Sequence, residues 1–168
     1  ADLCTDREGK RVMIRFSGNI AEHFSQAEYH PGSATVYMYK ETITFIVCLR
    51  KFRSWLKQKM YVVSWYRTRE ENMKVGGIPT SNHLTGTAID WHLYNHTITT
   101  EEFKTYCRKW AQICKEVGCL GEAGIYTWGV HLGMQNPTQA KVNGRKFYHW
   151  DSRSGKQINL PFKDLYDI

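Results

Sequence analysis

At 168 residues the chain has the size of one ordinary domain, enough to bury about 70% of the surface its unfolded form exposes, so it needs no covalent or metal staple to fold. With 42% hydrophobic residues, 23% charged residues and only four prolines it is neither disordered, collagen-like nor a linker, and no apolar run approaches the roughly 18 residues of a membrane span. Twenty-three Lys and Arg against sixteen Asp and Glu leave a formal net charge of +7, which favours polyanionic targets such as nucleic acid, anionic lipid or an acidic polymer.

One domain spanning residues 1–168 is expected, because no repeat or Ser/Gly-rich linker divides the sequence. The first residues, Ala1-Asp2-Leu3-Cys4, show no basic-then-apolar leader. Five cysteines, an odd number without CxxC spacing, indicate at least one free thiol, no disulfide framework and synthesis in a reducing compartment.

From Glu41 to Lys57 the residues Phe45, Ile46, Leu49, Phe52 and Leu56 recur at three- and four-residue steps, which predicts an amphipathic helix with Lys51, Arg53 and Lys57 on its other face. Met60 to Trp65 is short, β-branched and aromatic, and reads as a buried strand; Thr87 to Leu93 reads as a second one. Thr99-Thr100-Glu101-Glu102 has the capping-box form and opens a helical pattern of Phe103, Tyr106, Cys107, Trp110, Cys114 and Val117 that Gly118 closes. Beyond it come strand signals at Gly124 to Tyr126 and Val130 to Met134, then two runs joined by Asn143-Gly144, read as a hairpin turn that ends the chain in a meander.

Ser81-Asn82-His83-Leu84-Thr85-Gly86-Thr87-Ala88-Ile89-Asp90 sets an imidazole in a loop and a carboxylate on the following strand, with Gly86 allowing a tight return between them. With a second His from another strand, such a pair makes a three-ligand zinc site with an open fourth position. Spacing alone also describes a loop histidine and a capping aspartate. His23, His30 and His96 lie in polar or irregular contexts and are expected to be solvated.

The longer string decides more. Val63-Ser64-Trp65-Tyr66-Arg67-Thr68, Asn72, Val75-Gly76-Gly77 and Ser81-x-His83-x-x-Gly86-x-Ala88-x-Asp90 closely resemble the zinc D-alanyl-D-alanine carboxypeptidase and L-alanyl-D-glutamate endopeptidase family, phage endolysins among them, whose fold is shared with the hedgehog signalling domain. The resemblance runs from Phe24-Ser25-Gln26-Ala27-Glu28-Tyr29 to at least His131. It implies His83 and Asp90 as zinc ligands, and Arg67 as the group that holds a substrate carboxylate or polarises the scissile carbonyl, a task for which the planar, permanently charged guanidinium is suited.

The third ligand has two candidates. Tyr126-Thr127-Trp128-Gly129-Val130-His131 resembles the family's ligand strand, and Phe147-Tyr148-His149-Trp150-Asp151 resembles the ending of phage-type members. His131 is preferred for its short hairpin spacing, which leaves His149 and Asp151 at the rim; Ser81 and Trp128, flanking the ligand segments, are expected to touch substrate. His92 shares a strand face with Asp90 by the period of two. The family also uses an acid a few residues before the third His as proton acceptor, and here the pattern departs: the nearest upstream carboxylate is Glu122, so the base is Glu122, Asp151 or His149, or the domain binds zinc without hydrolysing anything.

The expectation is therefore an α+β domain, with a mainly antiparallel sheet, helices on one face and a zinc cleft on the other. Its expected activity is zinc-dependent cleavage of peptidoglycan stem peptides, by a monomer acting at the bacterial cell wall. A zinc-containing wall-recognition module of the same fold is the second reading. A nucleic-acid partner is not expected: Arg50, Lys51, Arg53, Lys57 and Lys59 form a basic helix face, but no recognised motif accompanies them.

Overall fold

The computed structural model describes residues 3–5, 11–14, 19–33 and 36–159. Its strands and helices, in chain order, are β1 (Leu3–Thr5), β2 (Arg11–Ile14), β3 (Asn19–Ala21), β4 (Phe24–Ser25), α1 (Gln26–Tyr29), β5 (Val36–Tyr39), α2 (Lys40–Leu56), β6 (Tyr61–Ser64), α3 (Arg69–Lys74), β7 (Ala88–His92), α4 (Thr100–Val117), β8 (Gly121–Ile125), β9 (Val130–Met134), α5 (Pro137–Val142), β10 (Tyr148–Asp151) and β11 (Ile158–Asn159). A single 3₁₀ turn, Asn82–Thr85, precedes β7. The architecture is α+β. Six strands form the main sheet in the order β11-β10-β8-β9-β7-β6, and β1, β2 and β5 form a second, three-stranded sheet.

Both long helices follow from local chemistry. α2 ends where Lys57 turns left-handed, and α4 carries the expected box, with Thr99 accepting from the Glu102 N–H and Gly118 at φ +92° as its cap. Their apolar stripes meet: Phe45 and Phe52 on α2 contact Trp110 on α4 edge-to-face at 5.7 and 5.8 Å, and Phe52 also contacts Trp91 on β7. The buried Trp110 indole donates to the Gly133 carbonyl at 2.9 Å, which ties α4 to β9.

Strand alternation divides the sheet into two faces. Ile89, Trp91, Ala123, Ile125, Val130 and Leu132 turn toward the helices and are fully buried in the apolar core. Asp90, Glu122 and His131 belong to the opposite set, and they too are nearly inaccessible.

Three sequence expectations are corrected. Met60 to Trp65 is not a buried strand: β6 is an edge strand with Val63 exposed, and the flanking Met60 and Trp65 carry the burial. Asn143-Gly144 is not a hairpin turn. Asn136 caps α5 by accepting from the Gln139 N–H, Pro137 follows at the first turn, and Asn143 with Gly144 (φ +64°) ends that helix. The chain consequently crosses over, and β10 runs parallel to β8 rather than continuing a meander.

Candidate metal centre

Two neighbouring strands and one turn build the centre. On β7 and β9, Asp90 and His131 are direct cross-strand partners, and His131 is also paired with Gly124 of β8. The 3₁₀ turn delivers His83: Ser81 Oγ accepts the His83 N–H at 3.3 Å, and Gly86 closes the turn at φ +65°. A side chain at Gly86 would be strained by that φ and would meet the Tyr29 hydroxyl at 2.5 Å, so glycine is required there.

The imidazoles converge on the carboxylate from two sides. His83 Nε2 lies 3.2 Å from Asp90 Oδ2, and His131 Nδ1 lies 2.9 Å from Asp90 Oδ1. One potential ligand atom from each residue lies within 4.8 Å of the other two. On its far side His83 Nδ1 is 2.6 Å from the Trp65 carbonyl. A carbonyl only accepts, so Nδ1 carries a proton and Nε2 is the nitrogen that faces Asp90. Two electron-rich atoms facing each other at this distance call for a cation or a proton between them. The separations approach the edge of about 3.3 Å expected for N and O ligands held tetrahedrally at 2.0–2.1 Å, so the trio fits a small divalent ion such as zinc.

Glu122 completes the surroundings. Its Oε1 lies 3.0 Å from His131 Nε2 and accepts from Asn82 Nδ2 at 2.8 Å. Gly133, opposite Glu122 in the register, makes room for it, because a Cβ there would sit 2.5 Å from the same oxygen. The arrangement is the carboxylate–histidine pairing that fixes a ligand's tautomer and raises its basicity. Electrostatics follow from it. Burial opposes ionisation of Asp90, but the bonds from His131 and His83 outweigh it and hold the carboxyl well below the usual range. Burial also opposes the charge on His131, yet the carboxylates on either side push its pKa up to about 9.

Arg67 lies beside the trio: its Nε–H donates to Ser64 Oγ at 2.8 Å, and one terminal nitrogen pairs with Asp90 Oδ2 at 3.0 Å. Arg67, His83, Asp90, Glu122 and His131 line an open cleft of about 750 Å³, in which Asp90 and Glu122 are the only carboxylates among the described residues. Trp128 forms part of its wall, half exposed and stacked on Tyr126 with ring centroids 5.0 Å apart.

The remaining sequence candidates lie elsewhere. On β10, Tyr148 and Trp150 face the cleft, whereas His149 stacks on Phe147 at 5.8 Å in the interior, where burial pushes its pKa down to about 4. Asp151 is engaged by Arg153, which reaches on to Thr100 Oγ1 at the start of α4. Neither lines the cleft rim. His92 stacks on Tyr61, and His23, His30 and His96 each pair with a glutamate. Residue-by-residue reading missed Asn82, Gln139, Tyr126 and Trp150 as cleft residues; for Asn82 the only signal is its place between Ser81 and His83.

A convergent His-Asp-His trio lining a cleft is a group that could hold a metal ion, and the comparison with protein families adds to it: the family model described as Peptidase M15 matches residues 22–131, well over half the chain and inclusive of all three residues. The chain belongs to the peptidase M15 family. No curated protein and no solved structure matches it in the parallel comparisons. M15 members are metallopeptidases, and the buried His83, Asp90 and His131 form a group that could hold a metal ion. The match closes at His131 and does not extend to His149.

Proposed function

We propose that the chain is a zinc-dependent peptidase that hydrolyses a peptide bond in the stem peptides of peptidoglycan. The observation that carries this reading is the convergence of His83 Nε2, Asp90 and His131 Nδ1 in a cleft whose only other carboxylate among the described residues is Glu122. Bound by those three residues, zinc supplies Lewis acidity for a carbonyl oxygen and lowers the pKa of a water molecule toward 7.

The chain's own residues do the rest. Glu122 accepts the proton of the attacking water and returns it to the departing amine. Its Oε1 is committed to His131 and Asn82, while its Oε2 has no hydrogen-bond partner among the described residues and serves as the exchanging atom. Arg67 keeps donors beyond its bonds to Ser64, Asn72 and Asp90 and uses them on a substrate carboxylate or the developing oxyanion. Ser81 acts by fixing His83, and Trp128 with Tyr126 gives the peptide an aromatic wall. The net charge of +7 steers the protein toward walls that carry anionic polymers, which is where we place its action.

Mass spectrometry of purified peptidoglycan digested with the zinc-loaded chain, with and without chelator, tests this. The expected result is stem-peptide fragments with new amine termini that vanish with chelator. An intact wall beside fully loaded protein would instead support a recognition module.

A further inference from the structure

Away from the cleft, three thiols meet where α2 passes the end of α4. Cys48 of α2, Cys114 in the last turn of α4 and Cys119 just past its cap bring their sulfurs within 4.8 Å of one another, and Cys48 Sγ lies 3.6 Å from Cys119 Sγ. The first two are fully buried, whereas Cys119 is partly exposed, and all three are free thiols. We infer that Cys119 is a peroxide-reactive thiol and that Cys48 resolves it into a disulfide joining α2 to the turn that opens β8.

Three observations on this cluster support the assignment. Cys119 is the one of the three residues that is partly exposed, so a small oxidant meets it first. Contact with the Cys114 and Cys48 thiols holds Cys119 well below the ordinary thiol range, whereas Cys48 and Cys114 are pushed up. A partly exposed thiolate beside a buried thiol in contact is the arrangement of redox-sensitive cysteines. Cys107 is buried apart from the cluster, burial pushes its thiol well up, and it lacks both features.

The chemistry balances. Cys119 thiolate attacks one oxygen of hydrogen peroxide, the O–O bond breaks, hydroxide leaves, and Cys119 becomes a sulfenic acid. The Cys48 sulfur then attacks the sulfenic sulfur, the S–S bond forms, and the sulfenic hydroxyl departs with the Cys48 proton as water. Two electrons pass from the thiols to the peroxide. The bridge closes a loop between positions 71 residues apart, three residues before Glu122.

The test treats the full reduced chain with a small excess of hydrogen peroxide, alkylates the remaining thiols under denaturing conditions and maps the peptides by mass. The expected product is 2 Da lighter and contains a Cys48–Cys119 cross-linked peptide, and its melting temperature rises by about 5–10 °C over the reduced chain. C119S abolishes the cross-link and C107S leaves it. The inference is overturned if every thiol remains alkylatable after peroxide, or if the bridge that forms uses Cys4, Cys107 or Cys114. Because the wild-type map alone decides this, misfolding of a variant does not blunt the test, and the result is independent of peptidase activity.

Discussion

Asp90 and His131 face each other directly across β7 and β9, and each of the two Asp90 oxygens is given to a different imidazole, Oδ1 to His131 and Oδ2 to His83. One carboxylate therefore organises the whole trio. Removing it should cost both metal and fold: D90A is expected to lose the bound ion on dialysis. It should also destabilise the metal-free chain by about 3 kcal/mol, because the Arg67 guanidinium and a doubly donating His131 are left without their shared partner. H83A should lose the ion at a smaller stability cost. Metal content by elemental analysis and urea titration check both, and a fully loaded D90A would remove the site.

Glu122 is assigned two duties, orienting His131 and exchanging a proton, and they separate by substitution. E122Q keeps the volume and an oxygen that accepts from His131 Nε2, so the metal should remain while turnover falls about 10²–10⁴-fold. E122A should lose affinity for the ion as well, by about 10- to 100-fold. If E122Q digests peptidoglycan at the wild-type rate, the proton acceptor lies elsewhere.

How much of this was legible in the sequence depends on whether the signal was local. The ends of α2 and α4 fall within a residue of their expected positions, since period, capping box and terminal glycine are properties of the segment itself. The motif from Ser81 to Asp90 likewise locates its turn and strand. Glu122 was one of three candidates for the base, and spacing could not choose it: it reaches the centre because β8 runs antiparallel to β9, so that a residue nine positions from His131 becomes its diagonal neighbour. Asn143-Gly144 misled because that pair ends a helix as readily as it turns a hairpin; Asn136-Pro137-x-Gln139 was the competing local signal. The face of His149 was hidden for the same reason, as it is set by the parallel pairing of β10 with β8.

Arg67 is expected to matter for its geometry and not for its charge alone. Its Nε and one terminal nitrogen are bonded to two different residues, an arrangement that a lysine ammonium cannot reproduce. R67K should therefore lower kcat/KM about as far as R67A does, by roughly 10²-fold, with the metal retained in both. Steady-state kinetics on a synthetic stem peptide measures this, and full rescue by lysine would reduce the role to simple charge.

His149 offers a prediction on pH with a definite sign. Its imidazole is held neutral down to about pH 4 in the folded chain by burial, against an ordinary value of about 6.5 once unfolded. At pH 7 both states are neutral, so the residue contributes no pH dependence there. Below pH 6.5 the unfolded chain takes up a proton that the folded chain refuses, and stability is lost progressively until the folded imidazole titrates near pH 4, a total of about 3 kcal/mol. H149Q has no proton to take up, so the difference between variant and wild type should move in the variant's favour across that window and level off below it. Urea unfolding at pH 7, 5.5 and 4.5 reads the difference. The same variant should keep its full complement of metal, since His149 faces the interior and His131 faces Asp90. Metal lost from H149Q but kept in H131A would exchange the roles of the two histidines.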